Sequence, residues 1–558
     1  MRNLWKLFAG AMLLCGRLAA AKEPTSGTLA DPARDWQLEA VKLNAAPWGY
    51  WGPDASKYST WTSHSNRLIP VYTFGVTLDE FKGANSIYRR AADLKKLYGR
   101  MPVATLNPQA EYFDQTDVYR LQLQAAAANK KYIFLIIFDG MDWQTVWAAA
   151  TYQTCGVKYR AGRGGGLAFQ DYRGAATDFG FMVTSPHSVG GSYDVNKQTV
   201  KVTGKELFGG YDFATAGETP WAESHDPLYP LGKGLIKHPY TDSSASATSM
   251  TAGIKTYNEA LNITAAGVQV PTIAHQLQRD GWGVGVVTSV PISHATPAAA
   301  YSHNVDRDDY QDLTRDLLGL PSISHPNEPL PGVDVLLGAG WGENVLTDAS
   351  QGKNFQPGNK YLAPADLQTI NAAKGGKYAI ALRTAGESGG AALQTAAKSA
   401  VTKQTRLFGM FGVRGGHLPF CTANGDYRPT YNVGRLTANH QLTGKAEVYS
   451  AADLRENPTL TDLTNAALNV LEARGGKFWL MVEAGDVDWA NHANNIDNSI
   501  GAVISGDLAF QAVVNWIEAH HAWDDSAVIL TADHGHYLHL TRPDLLAPQR
   551  GSGASAKR

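Results

Sequence analysis

Cysteine is almost absent, with three among 558 residues. A small disulfide-stapled scaffold is therefore excluded, and the core must come from apolar burial. Net charge is equally scarce: 49 basic against 51 acidic residues leave −2. No global field draws the chain to nucleic acid or to an anionic membrane, so any phosphate affinity must be local. Beyond the first residues, no run reaches the roughly 20 uninterrupted apolar residues of a membrane span. The mature chain is expected to be soluble. No repeat of solenoid period is evident either.

What is present is a 44% hydrophobic chain with 56 glycines, enough for one large α/β domain or a core with insertions. Arg2 and Lys6, the apolar run Leu7 to Cys15, and Ala19-Ala20-Ala21 read as an export signal over residues 1–21. The mature chain would begin at Lys22 and be periplasmic or secreted. Leu14 is bulky where lipidation of Cys15 needs a small residue. Removal of Cys15 leaves Cys155 and Cys421, which an oxidising compartment could pair, although nothing in their spacing requires it.

Residues 22–131 are aromatic-rich and turn-rich, as in Pro47-Trp48-Gly49-Tyr50-Trp51-Gly52-Pro53, with one helical stretch around Tyr88 to Leu97. This region carries no recognisable chemistry and reads as packed on the core. From residue 132 short apolar runs alternate with helical patterns. The runs are Tyr132 to Phe138, Gly283 to Val287, Val333 to Leu337, Arg406 to Phe411, Phe478 to Val482 and Ala527 to Leu530. Continuous rather than alternating apolar residues indicate strands buried on both faces of a parallel sheet. Thr272 to Arg279, Leu460 to Ala473 and Ile500 to Ala519 have helical spacing. The expected fold is doubly wound α/β, with a mostly parallel central sheet, helices on both faces and insertions over about 320–460. Gly162 to Gly166 and Gly389-Gly390 read as loops; the former lacks the Lys-Ser/Thr of a phosphate loop.

Three apolar runs end in an acid: Asp139, Glu483 and Asp533, the last followed by His534. In an open α/β sheet ligands bind outside the carboxyl ends of the strands, and several carboxylates converging there need a cation. Asp488 and His492 stand four apart, on one face if helical, and mixed His and carboxylate sets suit zinc. Ser243 opens a helical segment, where free backbone N–H groups favour a phosphoryl group; taken alone, the segment reads as a plain Ser/Thr cap.

The stretch Asp242-Ser243-Ser244-Ala245-Ser246-Ala247-Thr248, followed by Gly253-Ile254-Lys255-Thr256-Tyr257-Asn258, resembles the nucleophile signature of alkaline phosphatases. Asp139-Gly140-Met141, His294-Ala295-Thr296-Pro297-Ala298, Glu483 to His492 and Thr531-Ala532-Asp533-His534 resemble that family's other blocks, in its order. The resemblance spans residues 132–537 with large insertions. It implies a phosphate monoesterase with two zinc ions and one magnesium ion, acting on small phosphate monoesters, with Ser243 as nucleophile. Asp139 would bridge a zinc and the magnesium, with Thr296 and Glu483 completing the magnesium's protein ligands. Asp533 and His534 would join Asp139 on that second zinc, and Asp488 and His492 would hold the first. Arg307 falls where the family places the guanidinium that grips phosphate. Asp242, His294, Trp489 and His536 would stand behind these residues, His536 orienting a ligand of the first zinc.

One departure matters. Family members draw a third ligand for the first zinc from a later histidine, whereas only His536 and His539 follow His534 here. The candidates are His539, His536, a histidine from an insertion such as His303 or His417, or none. His539 is the choice, because it lies on the same short tail. Competing functions are a phosphodiesterase or sulfatase of the same superfamily, or a secreted phosphate-binding protein with an incomplete zinc site. The sequence leaves the oligomeric state open, a homodimer included.

Overall fold

A computed structural model describes residues 31–187, 191–202, 209–433 and 446–549. The expected export signal, residues 1–21, lies outside the described residues. Among these, a ten-stranded sheet runs, edge to edge, Tyr378–Leu382, Arg406–Met410, Val335–Ala339, Gly283–Pro291, Phe478–Ala484, Tyr132–Phe138, Ser526–Thr531, Ile69–Phe74, Thr177–Val183 and Phe113–Asp114. The first seven strands are mutually parallel. Their residues are nearly all buried, as continuous apolar runs require when helices cover both faces. All six expected strands lie in this parallel block. The stretch 320–460, expected as insertions, itself supplies three of its strands, Val335–Ala339, Tyr378–Leu382 and Arg406–Met410.

In the region read as packed on the core, residues 31–131 do more than cover it. Ile69–Phe74 pairs antiparallel with Ser526–Thr531, Thr531 opposite Val71. An antiparallel strand enters a sheet at the edge where its parallel neighbours leave it. The residues just before Ile69 therefore lie at the carboxyl end of the parallel strands.

Helix Ile496–Ala519 is long and apolar enough to cross a membrane by length and composition. Here it is largely buried, packed on helices Leu460–Ala473 and Trp143–Thr154. Gly389-Gly390, expected as a loop, opens helix Gly389–Lys403 under a Ser388 cap. A Cβ on Gly389 would stand 2.4 Å from the Glu456 carbonyl oxygen, so glycine serves close approach there rather than a turn. Cys155 and Cys421 are both free thiols.

Candidate active site

The strand register sets three carboxylates side by side. Glu483 and Thr531 both pair with Ile137, so Asp139 and Asp533 emerge together just past the ends of their strands, next to Glu483. All three acids and His534 are fully buried. Burial and mutual repulsion push Glu483 up to about 8, and Asp139 and Asp533 well above the usual carboxylate range. Among the described residues, Glu483 Oε1 and Asp533 Oδ2 have no hydrogen-bond partner. Such a set is stable as carboxylates only around a cation.

Ser243 is the first residue of the buried helix Ser243–Ala252. Asp242 caps it through Oδ1, which accepts from Ala245 N at 2.9 Å. Ser243 Oγ lies 3.2 Å from His534 Nε2 and 3.5 Å from Asp139 Oδ1. His534 Nε2 is in turn 3.2 Å from Asp139 Oδ1 and 3.5 Å from Asp533 Oδ2. Thr296 Oγ1 reaches Asp139 Oδ2 at 3.5 Å. Arg307 Nη1 donates to Asp242 Oδ2 at 3.2 Å, beside the serine.

Next to this group stands a second one. Helix Asp486–His492 carries Asp488 and His492 on one face, with His492 Nε2 3.4 Å from Asp488 Oδ1. His64 joins them, its Nε2 3.1 Å from His492 Nε2 and 3.8 Å from Asp488 Oδ1. His64 Nδ1 faces the Thr241 carbonyl at 2.9 Å and His492 Nδ1 the Thr62 carbonyl at 2.6 Å. Carbonyls only accept, so each ring carries its proton on Nδ1 and turns a lone pair from Nε2 towards the other. Two facing lone pairs beside a carboxylate form a site for a soft divalent cation. Burial and the neighbouring His534 and His492 hold the His64 pKa well below its ordinary value, which keeps the ring in its metal-ligating form. Burial would raise Asp488, but His492 and His536 outweigh it and hold this carboxyl well below the usual range. His536 Nε2 bonds Asp488 Oδ1 at 2.7 Å. That approach needs Gly140, at φ +71°, where a Cβ would sit 2.8 Å from the His536 ring.

The alkaline phosphatase family model matches residues 235–550, more than half of the chain. The chain belongs to the alkaline phosphatase family. Alkaline phosphatase of Escherichia coli (strain K12) is 30% identical over 340 residues, 57% of this chain and 63% of that protein. Alkaline phosphatase 3 of Bacillus subtilis (strain 168) is 26% identical over 298 residues, 53% of this chain and 49% of that one. The chain thus spans about half to two thirds of the length of these relatives. Among solved structures, the alkaline phosphatase of Thermus thermophilus covers 73% of this chain, and 60% of its own, at 20% identity and a TM-score of 0.42.

Against that family pattern, His539 is the residue the structure moves elsewhere. Its Nε2 and Nδ1 face Arg67 Nη2 at 2.7 and 3.2 Å, and its ring stacks on Tyr50. A guanidinium already occupies the place a metal ion would need. His417 pairs with Glu447 and stacks on Phe420, and His303 sits in a separate cluster. His294 and Trp489 pack edge to face at 5.7 Å, beside the site.

Sequence reasoning missed four residues. His64 comes from the region read as without chemistry, and an unfilled ligand position was the only hint of it. Thr288 donates to Glu483 Oε2. Ser246 Oγ and Gln115 Nε2 both donate to the Asp533 carbonyl, at 2.6 and 2.8 Å, and so fix the backbone of that acid. Ser246 lay inside the serine signature, but nothing in its spacing marked this contact.

Proposed function

We propose that this chain hydrolyses phosphate monoesters through a phosphoserine on Ser243, at a site for two zinc ions and one magnesium ion, with release of inorganic phosphate. The observation that carries this reading is the Ser243 hydroxyl at the start of a buried helix, facing Asp139 and His534 with Arg307 alongside.

The donor set fits the ions. Asp488, His492 and His64 would hold the first zinc, with His536 orienting Asp488; Asp139, Asp533 and His534 would hold the second; Asp139, Thr296 and Glu483 would hold the magnesium. When bound, the ions supply the positive charge that ionises the serine and water and offsets the phosphate's own charge.

The rest falls to the chain's own groups. The free N–H groups at the start of helix Ser243–Ala252 favour a phosphoryl group there. Arg307 presents two parallel donors to two non-bridging oxygens, a match that lysine cannot make. Its hydrogen bond to Asp242 aims the guanidinium before substrate arrives. Ser243 Oγ attacks phosphorus in line and the ester oxygen leaves on the far side; water then attacks the phosphoseryl group in a second in-line displacement. Arg307 keeps hold of the equatorial oxygens through both steps. The phosphate-binding alternative rested on a missing zinc ligand, and His64 supports the hydrolase instead. On this reading the enzyme acts outside the cytoplasm, after loss of residues 1–21.

Turnover of p-nitrophenyl phosphate, its bis ester and its sulfate tests the proposal. The monoester should be preferred, Ser243→Ala should lose at least ~10³-fold in kcat, and radiolabelled phosphate should be trapped on Ser243 at low pH. Preference for the diester, or wild-type turnover by Ser243→Ala, would refute it.

A further inference from the structure

Outside the strand-end site, another set of metal-ligating side chains converges. His303, Asp316 and His325 each offer a ligand atom, all within 4.8 Å of one another. His303 follows helix Ala295–Ala299, Asp316 lies in helix Tyr310–Leu318, and His325 lies seven residues beyond that helix. Asp316 is 1% exposed and His303 5%.

The protonation pattern points to a cation. His303 Nε2 lies 3.0 Å from the Val270 carbonyl, so that nitrogen carries the ring proton and Nδ1 keeps its lone pair. Nδ1 is buried and, among the described residues, has no hydrogen-bond partner. Asp316 Oδ1 accepts from His325 Nδ1 at 2.9 Å, which leaves the lone pair of that ring on Nε2, and Oδ2 accepts from His303 N at 3.0 Å. The His303 and His325 rings are 5.1 Å apart. Two imidazoles and one carboxylate suit zinc better than magnesium or calcium.

His275 stacks on His303 at 5.2 Å but is a neighbour rather than a ligand. Its Nδ1 accepts from Thr272 N, which leaves the proton on Nε2. All three histidines line an open cleft of about 680 Å³. The cleft gives an ion a way in and leaves room for water as a fourth ligand.

We propose that His303, Asp316 and His325 form an additional site for a zinc-class divalent ion, separate from the strand-end site, which pins the loop leading to Arg307. Arg307 follows His303 by four residues. The same loop is tied by Ser324 Oγ, which donates to the His303 carbonyl at 2.6 Å, while Ser322 Oγ donates to Asp316 Oδ1 at 2.5 Å. The ion would lock these contacts together. This site stands on its own residues and does not depend on the reaction proposed above.

The test is zinc content per chain, measured on the full-length protein after saturation with zinc chloride and gel filtration. His303→Ala and His325→Ala should each hold one equivalent less than the wild type. The His325 side chain is 11% exposed at the cleft, and His325→Gln preserves its shape. His325→Gln should therefore fold normally by circular dichroism yet lose the same equivalent. Cobalt(II) substitution gives a second reading, as a visible difference spectrum between wild type and His325→Gln. Wild-type zinc content in folded His325→Gln, with no cobalt difference, would overturn the site.

Discussion

The Nε2 atoms of His64 and His492 face each other at 3.1 Å, although the two residues are 428 positions apart in the chain. Each ring is anchored by its Nδ1 on a backbone carbonyl, so neither can turn a proton towards the other without breaking that bond.

His64 and His539 should therefore behave oppositely. His64→Ala is expected to lose about one zinc per chain and at least ~100-fold in kcat, since even residues behind the ligands are worth about 10- to 100-fold. His539→Ala should keep its metal and most of its activity. Metal analysis alongside p-nitrophenyl phosphate turnover decides between them; full zinc content in His64→Ala would return the third ligand to another residue.

Arg307→Ala should lower kcat/KM for a monoester by about 10- to 100-fold, from about 1.5–3 kcal/mol for a charge-assisted hydrogen bond. Arg307→Lys should recover little of this, because an ammonium cannot form the two-pronged contact. Inhibition by inorganic phosphate should weaken in parallel. Unchanged phosphate affinity in Arg307→Ala would remove this residue from the site.

Gly140→Ala should cost about 1–3 kcal/mol, because it adds a Cβ 2.8 Å from the His536 ring at a positive φ. The His536 hydrogen bond to Asp488 should loosen, so zinc affinity should fall together with the melting temperature. A melting curve and a zinc titration of one preparation check both effects.

Asp497 offers a pH-dependent contrast away from the strand-end site. Burial, with Asp31 and Asp426 nearby, raises it to about 7. A carboxyl raised in the folded state contributes stability below its unfolded value of about 4, lost as pH rises through about 7. Asp497→Asn, which has no charge to bury, should therefore melt higher than the wild type at pH 8 and about equally at pH 4. Equal melting temperatures at pH 8 would show that Asp497 ionises freely.

The parallel strands and their terminal acids were legible because both depend on local composition. Tyr132 to Phe138 must be buried on both faces to justify seven apolar residues in a row, and an acid directly after such a run lands at the ligand-binding edge of the sheet. Asp488 and His492 were readable because four residues make one helical turn. The glycines of Gly389-Gly390 misled, because glycine marks close packing as well as turns, and only the neighbouring Glu456 backbone distinguishes the two.

By itself, then, the sequence determined six of the seven parallel strands, the strand-end carboxylates and the serine among its family's motifs. Only the tertiary structure sets His64, and not His539, beside Asp488 and His492. Both stand in short strands: His64 pairs opposite His536, facing Asp488, while His539 pairs opposite Tyr50, against Arg67. That placement depends on which distant strands pair and in which register, and pairing across several hundred residues leaves no mark in the local pattern of either segment.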